Sequence, residues 1–580
     1  MKKAISDLHK LAASAKTQDL TAVKSGVRAA RADFGSAQKA LIVFTPFRII
    51  PLFGWYIADL ERGISAAISG LNAAENTVDA IIPYADVLGL KGGGNFLGGT
   101  AQERLNLAVE TLAKITPQLD QISKNLTEAR KNVDKIAAWR YPNFLPGQPK
   151  NKINTAKVTI DNIDTFVAQA RPLIEVLPQI MGHDGQKKYL ILFQNDAELR
   201  PTGGFITAYA YLTINKGDIQ STGSSDIYKL DDTLTKKFPA PSPITKYLAN
   251  VYSFNIRDSN LYPDYLASMK QFETLYKASS APQDIDGILA IDTKFVLSMI
   301  KVLGPIQASG MQFTTDNQEE CACPQIIYHL EKFADEPVAF EKGNDRKGIL
   351  SVLMQQMLSM VFSAPQSSWP QILSNVLSSF SQKHILLYFK DVHAQSAIEK
   401  VNFAGRMYDY DGDYFFLDET NFGGAKSNLY INEQIKQVIT KNKNGQINKK
   451  ITIEYKYPRR ADNCSLERKS GLCLAGIYRD WIRIYAPIGS TLVKSSGLEQ
   501  NFTASEDLGK TVFEGFFTLR PEGVAKIELE YTSKINLSPD YKLLIQKQPG
   551  IPNFPYTLEV FGKKIKTFEL DGDKELIVKP

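Results

Sequence analysis

Apolar residues in this chain recur at two different periods, and that change of period constrains the fold more than any other feature. Leu105, Val109, Leu112, Ile115, Leu119, Ile122 and Leu126 follow steps of three and four, which places one apolar stripe on a helix. Such a stripe needs a partner, and the segment Ile64, Ile68, Leu71 and Val78 supplies one in a helical hairpin or bundle; a coiled-coil homo-oligomer is the alternative. Beyond Ser381 the step falls towards two. His384–Phe389, Ile451–Tyr457, Trp481–Tyr485, Val524–Tyr531, Tyr541–Ile545, Tyr556–Val560 and Lys564–Leu570 read as strands, several of them separated by Gly, Pro, Asn or Asp turns.

Between these regimes, strands and helices alternate. Tyr189–Phe193 is a short apolar run that fits a buried strand, and Phe205–Ile214 supplies a second before an Asn215-Lys216-Gly217 turn. Tyr262–Tyr276 reads as a helix, Ile288–Ile291 as a strand, and Thr293–Val302 as a helix stopped by Gly304-Pro305. Arg346–Phe362 is amphipathic, and its methionines are expected to fill a core. With 580 residues, several cores are required. The expected fold class is therefore α+β multidomain. A helical N-terminal stem or bundle spans 1–140, with breaks at Pro83 and at Gly92, Gly93 and Gly94. Pro142, Pro146 and Pro149 then interrupt the pattern before an α/β core with flanking helices over 141–380. A strand-containing extension covers 381–440, and a β-sandwich-like module covers 441–580.

A nucleic-acid binder more often shows a concentrated basic face; with a net charge of +6 and both signs dispersed, the linear sequence shows none, and no nucleic-acid partner is expected. Met1–Gln38 is mixed polar and Ala-rich, without the apolar run of a secretory signal. Residues 40–60 are strongly apolar but are interrupted by Pro46, Arg48 and Pro51. They read either as a buried helical pair or as a membrane-contacting interfacial element carrying Phe44, Phe47, Phe53, Trp55 and Tyr56. The four cysteines lack zinc-ligand spacing, so paired disulfides are expected. Cys464–Cys473 across a short hairpin is the simplest pairing, and it leaves Cys321–Cys323 as a strained counterpart. Four reduced thiols are the alternative.

The chemistry-bearing stretch is Phe193-Gln194-Asn195-Asp196-Ala197-Glu198-Leu199-Arg200-Pro201-Thr202-Gly203-Gly204-Phe205. It places carboxylates, amides and a guanidinium directly after a buried strand, where α/β proteins collect ligand-binding groups. Gly203-Gly204 would admit the close approach of an anion. The competing reading is a salt-bridge network of Asp196, Glu198 and Arg200 that stabilises a tight connection. A second cluster, Asn255 to Asp264, contributes Arg257 and Asp258. Were Arg257 near Arg200, their forks would hold a phosphate or diphosphate, with Asp196 or Asp258 holding a divalent cation such as magnesium or orienting an acceptor hydroxyl. No Walker A loop, dinucleotide-binding glycine pattern or HExxH helix is present in the sequence, and the run from Asp409 to Asp413 reads as an acidic turn.

These stretches resemble the DUF4012 proteins of bacteria. The resemblance is carried by Leu192 to Phe205, by Asp258-Ser259-Asn260-Leu261-Tyr262-Pro263-Asp264, by Asp286 to Asp292 leading to Leu303-Gly304-Pro305, and by Asn421-Phe422-Gly423-Gly424-Ala425-Lys426-Ser427-Asn428. It implies an extracellular or cell-envelope, membrane-associated location. The order of elements in the middle region also resembles the LytR-CpsA-Psr cell-wall ligases, which transfer glycopolymers from polyprenyl diphosphate carriers using Arg and Asp residues with a divalent cation. The Arg-Asp-Thr element of those enzymes is missing after Ile219. What the resemblance implies is a ligase-like core that binds a phosphate-bearing glycan or polyprenyl-linked substrate, with Asp196, Arg200, Arg257 and Asp258 as candidate catalytic residues. The alternative is a non-enzymatic structural or interaction component of a cell-surface assembly.

Overall fold

The structure, a computed structural model, describes residues 20–50, 53–82, 101–141, 143–144, 148–248, 250–335, 347–365, 368–442, 445–465, 471–535 and 540–578. The expectations placed on residues 1–19, Pro83, Gly92–Gly94, Pro142 and Pro146 lie outside them. The chain forms two compact units, Met1–Lys187 with Ile214–Ile219, and Lys188–Thr213 with Gln220–Pro580. An N-terminal helical region precedes several β-sheets in a mixed α+β, multidomain architecture.

The first unit is built from α1 (Leu20–Leu41), α2 (Phe53–Ile81), α3 (Ala101–Ile115), α4 (Leu119–Asp134) and α5 (Pro149–Ile180). Val27, Ala30, Phe34 and Leu41 of α1 bury against Ile64 and Leu71 of α2. Ala73 of α2 packs with Leu119 and Ile122 of α4, joined by Leu126 and by Ile174 of α5. The apolar stripe therefore meets the partner segment expected for it, but not on one continuous helix. A 3-10 turn over Thr116–Gln118 separates α3 from α4, because Pro117 has no N–H to donate back along the helix. Among the described residues no helix is long and apolar enough to cross a membrane.

In the second unit, β1 (Lys187–Asn195), β2 (Phe205–Asn215), β3 (Asp218–Ser221), β4 (Gly287–Asp292) and β5 (Ile385–Phe389) lie in the order β5-β4-β1-β2-β3. β1 and β4 run parallel, so Gln194 stands beside Asp292 at their C-terminal ends. Helices α6 (Tyr265–Tyr276) and α7 (Thr293–Leu303) open on Asp264 and Asp292, whose carboxylates accept from the Ala267 and Phe295 N–H groups at 3.0 Å. Farther on, Met357 of α8 (Gly348–Ser363) enters the core with Ile349 and Leu353, while Leu350 and Val361, expected on the same face as Met357, pack against it only partly buried.

Two six-stranded sheets then form the sandwich. Its strands are β6 (Asp413–Asn421), β7 (Asn432–Lys441), β8 (Ile447–Lys456), β9 (Tyr478–Ala486), β10 (Thr491–Ser496), β11 (Gln500–Asp507), β12 (Lys510–Leu519), β13 (Val524–Ser533), β14 (Tyr541–Gln546), β15 (Pro555–Val560), β16 (Lys563–Glu569) and β17 (Lys574–Val578). One sheet has the order β11-β12-β9-β6-β14-β17 and the other β10-β13-β8-β7-β15-β16. The stretch 381–440 thus contributes to both layers, β5 to the α/β sheet and β6 and β7 to the sandwich. Phe415 meets Tyr556, Tyr455 meets Phe517, and Phe513 meets Tyr531 between the sheets. The opposite face of the β9 sheet is also covered, since Trp481 and Phe516 join Phe422 and Tyr247 in the α/β core. Both expected disulfides, Cys321–Cys323 and Cys464–Cys473, are present.

Phe513→Ala opens a cavity between the two packed sheets and is expected to cost about 3–5 kcal/mol in the unfolding free energy measured by urea titration. Val524→Thr, on the exposed end of β13, should change it by less than about 0.5 kcal/mol.

Candidate functional site

The loop after β1 turns back on itself and is bound to the sandwich side through Ala197, Glu198, Leu199 and Arg200. The Asn195 side chain accepts from the Ala197 N–H, starting the turn, and the Phe205 N–H donates to the Glu198 carbonyl at 2.9 Å, closing it. Leu199 then pairs outward: its N–H donates to Asn428 Oδ1 at 3.2 Å, and its carbonyl accepts from the Asn421 N–H at 3.0 Å. The Gln548 side-chain amide donates to the carbonyls of Arg200 and Glu419 and accepts from the Glu419 N–H. Gln194 and Asn260 both donate to the Thr202 hydroxyl, at 3.0 and 2.9 Å.

Arg200 is 1% exposed. Its Nη1 donates to the Leu199 and Asn421 carbonyls and its Nη2 to Glu198 at 3.1 Å, while the guanidinium lies over the rings of Phe205 and Phe422. Among the described residues Nε has no acceptor. The other Glu198 oxygen accepts from Lys426 Nζ at 2.8 Å. Burial acts to raise Glu198, but Lys426 and Arg200 together hold it below the ordinary carboxylate range, and Lys426 is correspondingly raised.

Gly203 and Gly204 make close approaches of the chain's own backbone possible. A Cβ on Gly203 would meet Gln194 Oε1 at 2.6 Å, a Cβ on Gly204 would meet the Asn195 carbonyl carbon at 2.3 Å, and a Cβ on Gly550, whose φ is +74°, would meet the Gly203 carbonyl oxygen at 1.8 Å. Only glycine fits such contacts.

The four sequence-derived candidates fall into two clusters. Asp258 is buried and sits within electrostatic reach of both Arg257 and Arg200; burial raises its pKa against those two cations. Arg257 donates to Asp231 at 2.5 Å, lies 3.7 Å from Asp258 and stacks on Tyr228. Burial pushes Asp231 up to about 6 despite Arg257. Asp196 belongs elsewhere. It accepts from the Thr293 N–H at 3.2 Å, faces Lys294 at 3.7 Å, and neighbours the buried pair of Asp292 and His384, whose Nδ1 is 2.6 Å from the carboxylate. Burial raises Asp196, opposed by Lys294. The two carboxylates considered for a divalent cation thus stand in different clusters, each already faced by a protein cation. Among the described residues no three His, Cys, Asp or Glu side chains are grouped as metal ligands.

A further acidic group lies in the sandwich. Glu419, Glu433, Tyr455 and Tyr478 line an open cleft of about 330 Å³ together with Asn553 and Phe554. Tyr455 donates to Glu419 at 2.6 Å, and Glu433 hydrogen-bonds to Glu419. Burial lifts Glu419 to about 7, and it lifts Glu433 well above the ordinary range with Glu419 adding to it. None of Lys294, Lys426, Asp292, His384 or Glu419 was expected from sequence spacing. Lys426 and Asn428 carry a signal only as part of the Asn421–Asn428 stretch, and Asp292 only as the end of the Asp286–Asp292 stretch.

The sign of the pH dependence follows from the raised Glu419. Its unfolded pKa is about 4.3, so the stability it contributes is fully present below that value and is lost as pH rises through about 7. Glu419→Gln should therefore match the wild type in urea unfolding at about pH 4 and exceed it by about 3 kcal/mol above pH 7. Equal stability differences at both pH values would contradict a protonated Glu419.

Comparison with known proteins bears on the first part of this unit. No curated protein matches the chain. Among solved structures, that of the Lin1025 protein from Listeria innocua is similar at 11% identity over 38% of this chain and 78% of that one, with a TM-score of 0.21. Residues 184–323, which hold both polar loops and strands β1 to β4, match the family described as a protein of unknown function, DUF4012.

Proposed function

We propose that this chain is a non-enzymatic structural or interaction component of a bacterial cell-surface assembly. One observation carries the reading: the most motif-like stretch, Asn195 to Phe205, spends its hydrogen-bonding and charge on the protein itself. Arg200 is met by Glu198, two main-chain carbonyls and two aromatic faces. The space beside the glycines that would admit an anion is filled by the Gln194 side chain at Gly203 and by the Asn195 backbone at Gly204. A loop built to receive a phosphate keeps its donors pointed at solvent or at a hollow; this one keeps them pointed inward. Both cysteine pairs are oxidised, which supports an oxidising, extracytoplasmic setting. The DUF4012 match supports the surface location.

The ligase-like alternative, binding of a phosphate-bearing glycan or polyprenyl-linked substrate with magnesium, draws on a different observation. Lys294 and Asp196 stand at the C-terminal ends of two parallel strands beside the Asp292–His384 pair, and the Lys294 side chain is 27% exposed. That is where α/β sheets place ligands.

Unfolding experiments separate the two readings. Arg200→Ala leaves Glu198 buried with one partner fewer and should cost about 3–5 kcal/mol. Pyrophosphate with magnesium should leave the melting temperature of the wild type unmoved. Saturable binding of pyrophosphate that is abolished by Lys294→Gln or Arg257→Gln would reverse the choice in favour of the ligase-like reading.

A further inference from the structure

The helical unit ends in an apolar surface that no other described residue of the unit covers. α1 and α2 bury against each other through Leu41 and Ile64, but the 3-10 turn Ile42–Ile49 between them contributes no buried residue. Val43 is 72% and Ile49 89% exposed, and Phe44, Phe47, Phe53 and Trp55 follow at about half. An apolar patch of this density is uncommon on a protein surface that faces only water.

The charges within the tip do not interrupt it. Arg48 is paired with Glu61, and the nearly inaccessible Asp59 is held by Arg62 and Arg140. Arg140 in turn ties the segment after α4 to the same end of the bundle: its guanidinium lies 4.9 Å over Trp55, and its carbonyl accepts from the Tyr56 hydroxyl at 3.3 Å. Arg62 donates to the Lys135 carbonyl at 3.0 Å, which places the end of α4 there as well. That segment adds two more outward apolar groups, Trp139 and Phe144, at 72% and 86% exposure. From Lys131 to Lys157 the chain carries six basic residues, Lys131, Lys135, Arg140, Lys150, Lys152 and Lys157, against the single acid Asp134. Lys135, Lys150 and Lys152 are exposed.

We propose that this tip docks the protein onto an anionic lipid bilayer. The turn Ile42–Ile49 and Trp139 enter the boundary between headgroups and acyl chains, and Lys135, Lys150 and Lys152 meet the lipid phosphates. Uncharged aliphatic and aromatic tips flanked by lysines are the composition that lies in a membrane interface without crossing it. A basic rim adds attraction to anionic lipid that falls with salt. A second copy of the chain would satisfy the apolar surface equally well, but the clustered lysines would then face one another, so lipid is the better-matched occupant.

Vesicle flotation of the full chain tests this. The wild type should float with phosphatidylglycerol/phosphatidylethanolamine vesicles and weakly or not at all with phosphatidylcholine. Val43→Gln, Ile49→Gln and Trp139→Gln combined should weaken partitioning about tenfold or more; all three side chains are exposed, so the urea midpoint should be unchanged. Lys135→Gln, Lys150→Gln and Lys152→Gln combined should remove the preference for anionic lipid. The proposal is overturned if the wild type stays with the aqueous fraction, if the apolar variant floats equally well, or if the patch proves to hold a homodimer that the apolar variant dissociates while neither protein binds vesicles.

Discussion

A guanidinium with almost no access to water has to be met by the protein, because its hydration is lost and several kcal/mol must be recovered from fixed partners. Arg200 recovers it from Glu198, from the carbonyls of Leu199 and Asn421, and from the faces of Phe205 and Phe422. Two of these partners, Asn421 and Phe422, lie at the end of β6, more than two hundred residues along the chain. The loop after β1 therefore holds its shape only when β6 is in register with its own neighbours in the sandwich. The Leu199–Asn421 and Gln548 hydrogen bonds impose the same condition. Within the second unit, the α/β layer and the sandwich sheet that carries β6 are parts of one cooperative structure.

β6 accounts for the unusual chemistry next to that junction. Every residue from Asp413 to Asn421 is buried, since one face of its sheet meets the second sheet and the other meets the α/β core. Its acidic side chains have no solvent face to occupy and adopt two different solutions. Asp413 pairs with the equally buried Lys449, and Asp418 with Arg483. Among the described residues Glu419 has no such cation; it accepts a hydrogen bond from Tyr455 and lies beside Glu433, and burial raises both carboxyls. Ion pairing and retained protons both satisfy a buried carboxyl, but they differ in their response to pH.

The same double burial explains which elements could be read in the sequence. β2 and β8 alternate buried and part-exposed residues, and each left its period in the sequence. β1 was legible as an unbroken apolar run. β6 and β12 were not. Their sequences, DYFFLDETN and KTVFEGFFTL, are buried on both faces, so polar and apolar residues follow contact with particular neighbours and show no period of two. The acidic run ending at Asp413 looked like a turn for this reason, although Asp413 itself is strand and buried against Lys449. The helical stripe is legible in the sequence but its break at Pro117 is not, because the apolar spacing continues across the 3-10 turn.

The loop after β1 was conspicuous in the sequence, but the direction in which it uses its groups was not. Carboxylates, amides, a guanidinium and a glycine pair at a strand end fit a ligand pocket and a structural junction equally well, because both demand donors and close approach. What separates them is the occupant of the space the glycines leave open. Here that space holds the Gln194 side chain beside Gly203 and the Asn195 backbone beside Gly204, and Glu198 takes its second cation from Lys426 in a loop distant in sequence. Those partners follow no local spacing, so the sequence leaves both readings of the loop open, and the Arg200–Glu198 pair of the salt-bridge reading is the one the fold forms. Asp196 makes the complementary point. It is two residues from Glu198, yet it faces Lys294 and the Asp292–His384 pair at the strand ends. A single short loop thus divides its charges between Lys426 on one side and, on the other, the Asp292–His384 pair with Lys294, whose ammonium donates to the Gly550 carbonyl at 2.8 Å.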